Sequence, residues 1–112
     1  MRAALLLAGV ALLVGAAPAQ AKKTVRIYDN YFLSDDLTVR RGTVVVWIWP
    51  GADEAGDVHD VKLKSGPKGV RKFQSEAAAT EYTFHRRLRK PGRYRIVCTL
   101  HDEMTMKIRV KR

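Results

Sequence analysis

From residue 22 onward the chain is a succession of short stretches in which apolar residues recur at every second position, each ended by a turn. That period is the mark of half-buried strands, whose successive side chains point to opposite faces. Val25 and Ile27 alternate within 24–28, and 37–39 lead into the turn Arg41-Gly42. Residues 43–49 form the most apolar run, stopped by Pro50-Gly51, and 58–63 alternate again up to Ser65-Gly66-Pro67. Another strand is expected at 82–84, and beyond the turn Lys90-Pro91-Gly92 the residues Tyr94, Ile96 and Cys98 share one face. In the last strand, 106–111, Met106, Ile108 and Val110 oppose Lys107, Arg109 and Lys111. The one helical temptation, 75–81 with its three alanines, is too short to be stable alone and reads as a loop with at most one helical turn. An all-β sandwich or barrel is expected, without internal repeats.

The first 21 residues stand apart from this pattern. Arg2 gives a positive start, an apolar stretch covers 3–17, and Ala19-Gln20-Ala21 is a small-x-small cleavage site. This is the layout of a secretory signal peptide. Pro18 and Gln20 interrupt the run before it reaches the roughly 20 apolar residues a membrane span requires. The mature protein is therefore expected to be one domain, 22–112, exported to the periplasm or beyond and without a transmembrane anchor. No cysteine lies near the cleavage site to carry a lipid.

Cleavage would remove only Arg2, so Lys+Arg falls from 21 to 20 against 11 Asp+Glu, a net charge of +9. A basic surface of this kind keeps a domain soluble and also suits an acidic protein partner or an anionic membrane. Export and the lack of any binding motif speak against nucleic acid. The charge is segregated: no Lys or Arg occurs between Arg41 and Lys62, where Asp53, Glu54, Asp57 and Asp60 all fall. The cations gather in 62–72, 86–95 and 107–112.

Cys98 is the only cysteine, so no internal disulfide is possible. It opens the run Cys98-Thr99-Leu100-His101-Asp102-Glu103-Met104, which puts a thiolate, an imidazole and a thioether within seven residues. His59 precedes an alternating run that could come alongside, whereas His85 has no soft partner nearby and is read as structural. Structural zinc takes two or more cysteines in paired spacings, and calcium and magnesium take oxygen cages. Two imidazoles, one thiolate and a weak thioether suit copper in both oxidation states. His59, Cys98, His101 and Met104 are the candidate ligands. A cysteine nucleophile is the enzymatic alternative, but neither a third orienting residue nor an oxyanion arrangement is visible, so no enzyme is expected.

These residues, with the passages 37–47 and Pro91-Gly92-Arg93-Tyr94-Arg95-Ile96-Val97-Cys98, resemble the cupredoxins of the plastocyanin, amicyanin and pseudoazurin group. The likeness extends over essentially the whole of 22–112. It implies a Greek-key β-sandwich of about seven or eight strands with a type 1 copper centre that carries single electrons. It also implies redox-partner proteins docking near His101, on a protein expected to be monomeric. The rival reading is a copper-delivery protein without a redox role, for which an open, Met-rich or His-rich site would be expected. The chain departs from the group's pattern at Asp60, commonly Asn, at Leu100, often Pro, and at Asp102-Glu103, often neutral. Met104 lies three residues after His101 and four before Ile108, the placing of the axial ligand in that group, while Met106 continues the apolar face of the last strand. The acids beside His59 and His101 predict an acidic rim at the copper end of a basic protein.

Overall fold

The computed structural model describes residues 21–112. Residues 1–20 of the expected leader lie outside the described residues. Eight strands follow in chain order: β1 Lys22–Tyr28, β2 Tyr31–Phe32, β3 Asp36–Arg40, β4 Thr43–Ile48, β5 Lys62–Ser65, β6 Thr83–Leu88, β7 Gly92–Val97 and β8 Thr105–Lys111. They form two four-stranded sheets, ordered β2-β1-β4-β6 and β3-β8-β7-β5. The chain changes sheet at nearly every connection after β2, giving the expected Greek-key sandwich.

Alternation determines which side of each strand faces inward. β8 buries Met106, Ile108 and Val110 and exposes Lys107, Arg109 and Lys111. β7 buries Tyr94 and Ile96 between exposed Arg93 and Arg95. β4 lies between β1, parallel to it, and β6, antiparallel, so even its outward residues are half-covered, which explains its unbroken apolar run. Trp47 fills the middle of the core, and its indole N–H donates to the Met106 sulfur at 3.4 Å, joining the two sheets.

The structure sharpens one expectation and corrects another. Residues 75–81 contain no helical turn; the segment 73–78 runs extended beside 59–63, with Leu63 N donating to Phe73 O, Ser75 N to Val61 O, and His59 and Ala78 exchanging a pair of bonds. Of the three alanines there, Ala78 packs against the core and Ala77 is exposed. His59, expected on a strand, lies in an isolated bridge with Ala78, and β5 begins only at Lys62. The single helical piece among the described residues is a 3-10 turn at Ala52–Glu54. No described helix is long and apolar enough to cross a membrane.

Candidate metal centre

Cys98 stands one residue beyond β7, at the end of the sandwich, and the chain then turns back to start β8 at Thr105. Cys98 N donates to Met104 O at 3.0 Å and Met104 N donates to His101 O at 3.1 Å, which closes residues 98–104 into a compact loop. The bridge at His59 delivers its ring to the same end. The ligand atoms of His59, Cys98 and His101 lie within 4.8 Å of one another, and His101 Nδ1 is 3.6 Å from Cys98 Sγ. The two imidazole rings are 4.9 Å apart, centre to centre.

The polar atoms around this cluster show which nitrogen faces it. His59 Nε2 lies 2.8 Å from Asp29 Oδ1, and because a carboxylate can only accept, Nε2 carries the proton. His59 Nδ1 is then the nitrogen left over: it is buried and, among the described residues, has no hydrogen-bond partner. A buried polar atom left unpaired is costly unless something occupies it. Beside a thiol and a second imidazole, that something is a soft or borderline cation, so the residues present fit copper.

Asp29 was not legible as part of the site from sequence. Its carboxylate sits below its usual range, held there first by the bond from His59 and then by the Asp57 backbone N–H at 2.9 Å. Gly56 makes room for it, since a Cβ there would run into the Asp29 carboxylate. A carboxylate on the far nitrogen of a ligating histidine fixes its tautomer and orientation. The peptide of His59 is held equally firmly: Trp49 Nε1 donates to Ala78 O at 2.8 Å and, at 3.3 Å, to His59 O.

Asp60 is buried, so the expected acidic rim does not include it. Its Oδ1 accepts from Thr99 N at 2.7 Å, and its Oδ2 accepts from Thr99 Oγ1 at 2.6 Å and Gln74 Nε2 at 3.1 Å. Burial raises its pKa, but the bonds from Thr99, Gln74 and Cys98 outweigh it and hold the carboxyl ionised below its usual range. Asp60 thus ties the His59 segment to the Cys98 loop through a charged side chain.

Met104 is fully buried in the 98–104 loop. The Met106 sulfur is already engaged by Trp47 in the core. His101 is the partly exposed member of the cluster, and its Nε2 is 3.8 Å from Asp57 Oδ2. Val58 and Leu100, the neighbours of the two histidines, are exposed. His85 is exposed on β6 opposite Val46 and takes no part in the cluster.

No family model matches the chain. It is 28% identical over 108 residues to amicyanin-alpha of Methylorubrum extorquens, covering 96% of this chain and 87% of that one. The crystal structure of amicyanin from Paracoccus versutus superposes with a TM-score of 0.67 at 26% identity, covering 85% of each. A Cu-containing nitrite reductase from Thermus scotoductus superposes at 0.68 and 25% identity over 88% of this chain, which spans about a quarter of that protein, 24%. A two-sheet sandwich, a His-Cys-His cluster at its end and a likeness running over most of the length of amicyanin point the same way: the chain resembles the cupredoxins and shares their fold.

Proposed function

We propose that the protein is a small type 1 copper protein that carries single electrons, with His59, Cys98, His101 and Met104 as ligands. The buried, unpartnered Nδ1 of His59, facing the only thiol of the chain, carries this reading. The supporting argument for Met104 over Met106 is that Trp47 already occupies the Met106 sulfur. Bound copper would supply one-electron chemistry between Cu(I) and Cu(II).

The chain's own residues make that chemistry fast by not moving. Asp29 and the Ala78 bridge hold His59, and Asp60 locks the cysteine loop against it. His59, Cys98, His101 and Met104 would therefore hold copper in one arrangement in both oxidation states. Burial excludes water from His59, Cys98 and Met104. Only an edge of His101 reaches the surface, and it is the entry and exit for the electron. A delivery protein must open to release its metal, and a catalytic site keeps an open position for substrate; the closed ligand set favours a carrier over both.

The docking surface is the end bearing His101. Val58 and Leu100 supply an apolar centre, with Asp29, Asp57, Asp102 and Glu103 exposed nearby, so the partner should present an apolar patch with a basic rim. The leader 1–21 would be removed on export, and the carrier would act as a monomer in the periplasm or outside the cell. Adding Cu(II) to the purified protein should give an intense blue colour that Cys98→Ser abolishes, because only a copper thiolate supplies that transition. A colour that survives the substitution would sink this assignment.

A further inference from the structure

The outer face of the sheet β3-β8-β7-β5 is almost purely cationic. Arg93 lies directly opposite Arg109, Arg95 opposite Lys107, and Arg40 beside Lys111, all exposed. The only carboxylate on this face is Asp36, next to Lys107. Among the described residues none of these six cations has a side-chain hydrogen bond or an ion pair. Like charges directly opposed across antiparallel strands destabilise a sheet. The protein has acids to relieve this but places them elsewhere, in the loops around 53–57 and 102–103.

The chemistry of the face selects its partner. Protein interfaces are anchored by aromatic and aliphatic side chains. The exposed large apolar residues, Tyr28, Tyr31, Leu33, Val58 and Leu100, all lie off this sheet. What remains is a broad array of long cations around a depression of about 470 Å³, where Arg93, Arg95, Lys107 and Arg109 outnumber the single carboxylate, Asp36, beside Ser65. Such an array matches a layer of phosphate headgroups, to which juxtaposed Lys and Arg are drawn without any inserted anchor.

We infer that this face docks the protein on an anionic lipid bilayer. With the sheet lying on the headgroups, the strands run along the surface and the His101 end points sideways. The protein can then diffuse along the membrane with its copper end open to a partner held at the same surface.

The test is flotation with vesicles of phosphatidylcholine alone or with 30% phosphatidylglycerol, using copper-loaded protein released from the periplasm of an expression host. Binding to the anionic vesicles at low salt, lost at high salt and absent from neutral ones, is expected. Arg93→Glu with Arg95→Glu should weaken it more than tenfold. That variant turns two like-charge pairs into opposite-charge pairs, so its blue colour and melting temperature should hold. Arg26→Glu with Arg71→Glu changes net charge equally but lies off the face, and should keep most of the binding. Four results would each overturn the inference: no anionic binding, equal binding to neutral vesicles, equal loss in both variants, or capture by immobilised polyglutamate alone.

Discussion

The carboxylate of Asp29 decides which nitrogen of His59 is free, and it does so from a position half in solvent. Asp29→Ala should therefore weaken copper binding by about 10- to 100-fold in a chelator competition while leaving the fold intact. Asp60→Asn keeps the tie to Thr99 but removes a buried negative charge beside the ligands. Its reduction potential should rise by on the order of 100 mV in voltammetry, since the more positive oxidised centre loses its compensation. Met104→Leu should shift both potential and visible spectrum, whereas Met106→Leu should cost less than about 1.5 kcal/mol of stability and leave the spectrum alone; the reverse pattern would make Met106 the axial ligand. The candidate ligands were legible because a lone cysteine, two histidines and a methionine are rare chemistry in a short chain. Asp29 was not, because an exposed acid 30 positions from its histidine carries no local signal.

Strands with strict alternation, β7 and β8 above all, could be read from sequence almost residue by residue, since one face is core and the other solvent. β2, two residues long, has too little sequence to show a period. The segment 73–78 was opaque for a different reason: its order comes from bonds to 59–63, not from its own composition. Ser75 Oγ accepts from Val61 N at 2.9 Å in a buried setting. Ser75→Ala should leave that N–H unpaired and lower unfolding free energy by about 1–3 kcal/mol in urea. Gly92, at the start of β7, has φ +139°, and a Cβ there would come within 2.6 Å of Pro67. Its turn chemistry was visible in sequence, but its contact with a loop 25 residues earlier was not.

Across the whole molecule, charge runs opposite to expectation from composition: a basic protein presents acids at its reactive end and cations on one broad side. Alkali should test how tightly the side opposite those cations is sealed. Burial raises the Tyr94 phenol above its usual value near 10, against a smaller opposing effect of its bond to Lys90 O. As pH climbs past 10, the unfolded chain therefore loses this proton first. The contribution is fully present below pH 10 and lost above it, so melting temperature should fall there, and less so in Tyr94→Phe.

The parallel pairing of β3 with β8 joins Leu37 to Ile108 across most of the chain. β8 is also the inner strand between β3 and β7, and the metal loop hangs between β7 and β8. Neither the second sheet nor the copper loop can close until the last strand arrives. The site is therefore the last part of the molecule to mature: whatever the earlier strands do, the loop carrying Cys98 and His101 takes its shape only when the C-terminal residues join the sheet.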